Sequence, residues 1–203
     1  MRHSKLTMLC TSALLLAACG GGRDDGDNAV AENQTEAPGS GPIEEAPAVS
    51  LVGPDGQILG EVRAGDSPEG AVFQVVAQGL PAGVHAMHIH DVGLCEVPTF
   101  ESAGPHWNPE NKEHGLHNPQ GPHRGDLPNV TVGEDGAFKG TVTVENSNLR
   151  GSRLYGFANQ IIDENGAALV IHAKPDDYQS QPSGAAGDRI ACAVLGAASM
   201  PPS

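Results

Sequence analysis

Seven of the nine histidines fall between His85 and Asp126, in HAMHIHDVGLCEVPTFESAGPHWNPENKEHGLHNPQGPHRGD. The eighth, His172, follows in LVIHAKPDD, and the ninth is His3 near the start of the chain. Neutral imidazole is the commonest protein metal ligand. Sets that mix histidine with carboxylate suit zinc and copper. Here a carboxylate, Asp126, stands three residues after His123, the last histidine of the cluster. The stretch therefore reads as a metal centre.

Strands and loops must position these side chains. His88 and His90 are two apart in VHAMHIHDVG, and the period of two along a strand puts both imidazoles on one face. In the same register His85 points to the other face. Residues 94–127 contain glycine, asparagine, histidine and five prolines without any period. A loop of that length in a compact domain needs a reason, and bound metal would order it. Upstream, AVSLVG (48–53) ends at the turn Pro54-Asp55-Gly56, and QILGEVRAG and GAVFQVVAQ follow with β-branched residues in partial alternation. That pattern fits antiparallel strands with one buried face. Residues 79–83, GLPAG, form a turn. Downstream, NVTVG and AFKGTVTV flank Glu134-Asp135-Gly136, a hairpin signal. NSNLRGSRLYGFANQIIDENG is expected to cross between sheets. ALVIHA is a buried strand carrying His172, KPDDYQSQPSGAAGD a second loop, and RIACAVLG a last strand. The predicted fold is all-β: a Greek-key β-sandwich or flattened barrel of about eight antiparallel strands with two long functional loops.

The 203 residues include 27 Gly, 16 Pro and few aromatics, which suits a turn-rich β protein. Residues 1–19 read as a leader. Arg2 and Lys5 precede the apolar stretch LTMLCTSALLLAAC, which is too short for a membrane span. It ends Leu16-Ala17-Ala18-Cys19, similar to the lipobox of bacterial lipoproteins; that likeness implies cleavage before Cys19 and a lipid on it. An ordinary signal peptide that happens to contain a cysteine is the other reading. Residues 20–47 are acidic and rich in Gly and Pro, and form a disordered tether. The domain is 48–203. The net charge is −14, and 18 acidic against 8 basic residues give the domain −10. With no basic patch, nucleic acid is excluded as a partner. Cys10 leaves with the leader and Cys19 takes the lipid. Cys95 and Cys192 remain, an even pair in an exported chain, for which a disulfide is the natural reading. A metal-ligand role for one of them is the alternative.

HAMHIH, Cys95, AGPHWNP, KEHG, PHRGDLPN, VIHAKPDDY and DRIACAV, in that order, resemble the copper/zinc superoxide dismutases, in particular their exported bacterial branch. Such enzymes are a known instance of the β-sandwich. The resemblance covers nearly all of 48–197. It implies one copper bound by His88, His90, His106 and His172, and one zinc bound by His106, His114, His123 and Asp126, with His106 bridging. Four imidazoles suit both oxidation states of copper. Three imidazoles and a carboxylate close a tetrahedral zinc with no open position. Asp176 matches a carboxylate that joins a copper-ligand histidine to a zinc-ligand histidine. Cys95 and Cys192 match the family disulfide. Arg189 matches the arginine that attracts and orients superoxide, and with His106 makes up the catalytic pair. His85 matches a structural histidine. The pattern favours His114 as ligand over His117, three residues later. Ala86 and Ala193 stand where the family has glycine, and Lys174 is alone as a lysine in the second loop.

The activity so implied is dismutation of superoxide to dioxygen and hydrogen peroxide, protecting the envelope of a bacterium. The chain would be lipid-anchored and face the periplasm, as a monomer or a homodimer. The alternative is a non-enzymatic copper-binding or copper-delivery domain on the same fold.

Overall fold

The computed structural model describes residue 43, residues 46–151 and residues 154–197. The leader, Cys19 and nearly all of the tether lie outside the described residues. Eleven strands follow in order: β1 (Ala48–Val52), β2 (Ile58–Asp66), β3 (Gly70–Ala77), β4 (Gly83–His85), β5 (Met87–His90), β6 (Val130–Val132), β7 (Phe138–Glu145), β8 (Ser147–Asn148), β9 (Asn159–Gln160), β10 (Ala167–His172) and β11 (Arg189–Gly196). A 3₁₀ turn spans Glu101–Ala103.

The main sheet runs β5-β10-β11-β1-β2-β3-β7, and every neighbouring pair in it is antiparallel. Alternation drives it. In β3, Ala71, Phe73, Val75 and Ala77 are all buried, with half-buried residues between them. They join Leu51, Val62, Met87, Ile89, Leu169 and Ile171 in one core.

The predicted strand VHAMHIH divides at Ala86. Its first half, β4, pairs with β6, and its second half, β5, pairs with β10. The Ala86 amide donates to Lys174 O, and Ala86 O accepts from the His172 amide, so the bend is itself satisfied. The expected hairpin between NVTVG and AFKGTVTV needs correction. Its turn forms, with Gly133 N donating to Ala137 O and Gly136 N to Gly133 O. The strands do not pair: β6 lies on β4, while β7 is matched to β3 over all eight residues. Turn chemistry specifies a reversal and not a pairing. Val130, Val132 and Val144 are all turned into the core. The difficult segment 146–166 contributes β8 and β9, which pair in parallel.

Two faces of the same strands divide the labour. On β5, Met87 and Ile89 enter the core while His88 and His90 take the opposite face. On β10, Leu169 and Ile171 enter the core, while Ala168 and Val170 pack outward with Phe100, Ala103 and Cys192 in a second small cluster. His88 is the register partner of Val170, and His90 of Ala168. The histidines therefore stand on the outer face of the sheet and are buried only because loops cover them.

Candidate metal centre

The long loop is held against the edge of β5 by backbone. Trp107 N donates to Ile89 O (2.8 Å), Ile89 N to Gly125 O (2.9 Å) and Gly125 N to Trp107 O (2.8 Å). Isolated bridges join His90 to His106 and His88 to Asp126. These contacts bring His106 and Asp126 beside the β5 histidines. The approach is so close that a Cβ on Gly125 would lie 2.3 Å from Ile89 O, so only glycine fits there.

Two ligand sets result, each with its atoms within 4.8 Å of one another. The first is His88, His90, His106 and His172. Each ring uses one nitrogen for orientation: His88 Nε2 meets Asp176 Oδ2 (2.9 Å), His90 Nδ1 meets Gly104 O (2.9 Å), His106 Nδ1 meets Asp126 Oδ1 (2.8 Å) and His172 Nδ1 meets Gly187 O (3.2 Å). The other four nitrogens, His88 Nδ1, His90 Nε2, His106 Nε2 and His172 Nε2, are buried without a partner. Leaving a buried polar group unsatisfied costs about 1–3 kcal/mol. Four such atoms turned to one point make sense as a cradle for a cation. Burial holds the His90, His106 and His172 imidazoles below their ordinary range, His106 at about 4 and His172 at about 3, so their lone pairs are free at neutral pH.

The second set is His106, His114, His123 and Asp126. Three Nδ1 atoms surround a single oxygen, Asp126 Oδ1, at 2.8, 3.0 and 3.2 Å for His106, His114 and His123. His123 Nδ1 lies 3.5 Å from His106 Nδ1. Donors about 2.0–2.1 Å from a tetrahedral centre stand roughly 3.3–3.4 Å apart. The spacing here is close to that, and the set fits zinc. Burial opposes the Asp126 carboxylate, but hydrogen bonds to three imidazoles outweigh it and hold the group far below the carboxylate range. Burial likewise opposes the His114 imidazolium, but Asp126 and Asp176, one on each ring nitrogen, raise its pKa to about 9. His117 is exposed, its ring stacked edge-on against Tyr178 at 5.0 Å, and takes no part in either set.

The family model of copper/zinc superoxide dismutase (SODC) matches residues 58–195. The chain is 43% identical over 146 residues to superoxide dismutase [Cu-Zn] 2 of Aquifex aeolicus (strain VF5), covering 71% of this chain and 83% of that protein. It is 39% identical over 202 residues to the superoxide dismutase-like protein YojM of Bacillus subtilis (strain 168), covering 95% of this chain and 96% of that one. Among solved structures it resembles a superoxide dismutase-like protein from Bacillus subtilis, with TM-score 0.66 and 41% identity over 73% of this chain and 97% of that one. It also resembles the Cu/Zn superoxide dismutase from Brucella abortus, with TM-score 0.56 and 26% identity over 74% of this chain and 99% of that one. The chain belongs to the copper/zinc superoxide dismutase family. Copper and zinc are that family's metals, and superoxide dismutation is its activity.

In this member the two sets are tied together from behind by Asp176, whose Oδ2 meets His88 Nε2 and whose Oδ1 meets His114 Nε2 at 3.0 Å. Gly184 makes room for it. A Cβ there would lie 1.8 Å from Asp176 Oδ1, and the φ of 66° suits glycine in any case. Two residues without any sequence signal complete the support. Asn129 exchanges hydrogen bonds with the Asp176 backbone (2.8 and 2.9 Å), and Gln181 does the same with the His114 backbone (2.9 and 2.9 Å). They clamp the second loop to the first. An amide in a loop looks the same in sequence whether it clamps or is solvated. His85 braces the site from below, its nitrogens 2.8 Å from His172 O and Pro81 O. Asp177 is exposed and accepts from the amides of Gln179 and Ser180 in a local turn.

Arg189 opens β11 opposite His172 in register. Its Nη1 donates to Phe100 O (2.6 Å) and its Nη2 to Gly104 O (2.8 Å). No carboxylate pairs with it among the described residues, unlike an ordinary strand arginine. Gly104 O thus serves both Arg189 and His90. Cys95 and Cys192 are disulfide-bonded, with Cα atoms 5.8 Å apart, which leaves both unavailable as metal ligands. An open cleft lies in front of the first set, lined by His90, His106, His172, Arg189, Thr99 and Asp188 among others.

Proposed function

We propose that this chain converts two superoxide anions and two protons into one dioxygen and one hydrogen peroxide. In this reading His88, His90, His106 and His172 hold copper, while His106, His114, His123 and Asp126 hold zinc. The four buried, unpartnered nitrogens carry it, together with the guanidinium beside them in the open cleft. Copper, when bound, supplies a one-electron couple, and zinc supplies fixed positive charge and a tie between loop and sheet. His106 serves both sets, Nε2 in the first and Nδ1 in the second, so it fixes one site relative to the other. Its Nε2 is also the atom suited to hand a proton to the product, because its ring borders the cleft. Arg189 attracts the anion and orients it in front of the His90 and His172 rings.

Metal analysis tests the ligand sets. The domain should hold about one copper and one zinc per chain, as tetrahedral and four-imidazole donor sets require. Asp126→Ala should weaken zinc first, by more than the 10–100-fold typical of losing an outer hydrogen-bond partner. His117→Ala should leave zinc untouched. Zinc lost in the His117 variant and kept in His114→Ala would reverse the ligand choice.

Arg189 faces a difficulty of charge, since the domain is negative and its substrate is an anion. Long-range repulsion is screened beyond about 8 Å at physiological salt. Within the cleft the guanidinium and the bound cations dominate. Arg189→Glu should slow superoxide decay at least about tenfold, about 1.4 kcal/mol of barrier, with both metals retained. Arg189→Lys should do much less damage, since it keeps the charge. Pulse radiolysis at several salt concentrations should find the native rate falling as salt rises. A rate that climbs with salt would show that the net charge governs approach.

The second reading, a copper-binding or copper-delivery domain without activity, is favoured by one finding: the relative that spans most of this chain is named only as superoxide dismutase-like. Superoxide decay on metal-replete protein separates the two.

We place the chain in the bacterial envelope. Residues 1–19 act as a lipoprotein leader, Cys19 as the anchor, 20–47 as a tether and 48–203 as the enzyme domain. The support is the Leu16-Ala17-Ala18-Cys19 sequence after an apolar run. Cys19→Ala should move the protein from the membrane fraction to the soluble fraction or block its processing. Unchanged membrane association would remove the anchor.

A further inference from the structure

The ligands of the second set are not held equally. Asp126 accepts from the Gly115 and His123 amides through Oδ2, each at 2.9 Å, and its side chain is fully buried. His106 is shared with the first set. His114 is pinned by Asp176 on Nε2 and by Gln181 on both sides of its peptide unit, and it is fully buried too. His123 differs. Its Nδ1 joins the set, its Nε2 has no hydrogen-bond partner among the described residues, and its side chain is 12% exposed. The backbone on either side is fixed, by the His123 amide on Asp126 Oδ2 and by the Gly125 amide on Trp107 O (2.8 Å). Only the ring is left to turn. A metal-bound imidazole whose second nitrogen is unbonded lacks the contact that normally fixes its orientation.

The ring also stands between two openings. A second, smaller groove is lined by His123, Asp126, Leu116, Thr143, Arg124 and Glu145. It reaches His123 and Asp126 of the second set and no member of the first. The open cleft reaches His90, His106 and His172 and also touches His123, but it does not reach Asp126.

We infer that His123 is the gate of the zinc site: its ring swings aside to admit or release zinc through the second groove, which reaches Asp126 as well and no histidine of the first set. This rests on the zinc assignment above. In release the His123 bond breaks first, while His106, His114 and Asp126 stay in place. In uptake it closes last.

The test measures exchange rates rather than activity. Zinc content at equilibrium comes first: a native protein that binds no zinc overturns the ligand assignment itself. Given binding, zinc release to a chelator and uptake by metal-free protein are timed in Leu116→Trp and in Thr143→Phe. Both positions are exposed, so each bulky side chain crowds the groove without entering the core. Each variant should slow uptake and release by about the same factor, about tenfold for about 1.4 kcal/mol of added barrier, leaving affinity and copper uptake unchanged. Thr99→Trp, at the exposed rim of the open cleft, should slow copper uptake and leave zinc exchange alone. Native zinc rates in both groove variants, or zinc exchange slowed by Thr99→Trp instead, would overturn the gate while leaving the zinc site standing.

Discussion

His172→Ala is expected to abolish copper binding and to slow superoxide decay by a factor on the order of 10³ or more, about 4 kcal/mol of barrier. The zinc set should survive, because none of its members hydrogen-bonds His172. The ring is the sole contribution of β10 to the first set, held by Gly187 O on one nitrogen and unpartnered on the other. Stability should respond differently in the two metal states. Without copper, the variant loses a buried nitrogen whose isolation costs about 1–3 kcal/mol, and this offsets much of the usual 2–5 kcal/mol of a large-to-small core change. With copper, the native protein gains the full linkage of a ligand that binds only the folded state, and the variant does not. Thermal unfolding should therefore show a small gap between native and variant when both are metal-free, and a wide one when both are offered copper. Equal midpoints in the presence of copper, with copper retained, would remove His172 from the site.

Much of this site was legible in the sequence because period-two geometry is rigid. His88 and His90 had to share a face, and the sheet has Met87 and Ile89 on the other. The four-imidazole and three-imidazole sets were legible through family resemblance, and both assemble in space. The choice of His114 over His117 could not come from spacing alone. In space Asp126 and Asp176 meet both His114 nitrogens while His117 faces Tyr178, which favours His114.

Other features were hidden because they depend on partners far along the chain. Nothing in VHAMHIH marks Ala86 as the point where the strand changes neighbour; that follows from the last residues of β10 lying alongside. Glu134-Asp135-Gly136 announced a turn and could not reveal that the strands it joins belong to different sheets. The partners of Arg189 are two carbonyls of the long loop, which any residue could supply.

Those two carbonyls tie the position of Arg189 to the loop that the disulfide holds. Cys95 begins the loop and Cys192 lies three residues after Arg189, 97 positions from Cys95. Between them Phe100 and Ala103 pack on Ala168, Val170 and Cys192 in the outer cluster. The 3₁₀ turn that follows Phe100 then presents Phe100 O and Gly104 O to the guanidinium. Replacing both cysteines by alanine should cost about 4–5 kcal/mol on the chain-entropy account of a loop near 100 residues. At roughly 2–4 °C per kcal/mol for a domain of this size, the unfolding midpoint should fall by about 10–20 °C. Catalysis should also suffer below that midpoint, where the protein is still folded. With the loop released at Cys95, Gly104 O no longer fixes the His90 ring and Arg189 together. The rate per bound copper should fall and its salt dependence should weaken, while zinc, held by Asp126 and the clamp of Asn129 and Gln181, stays bound. A double variant that melts within a few degrees of the native protein would deny the staple. One that melts early yet keeps its native rate and salt dependence would confine the disulfide to stability and leave Arg189 positioned by the outer apolar cluster alone.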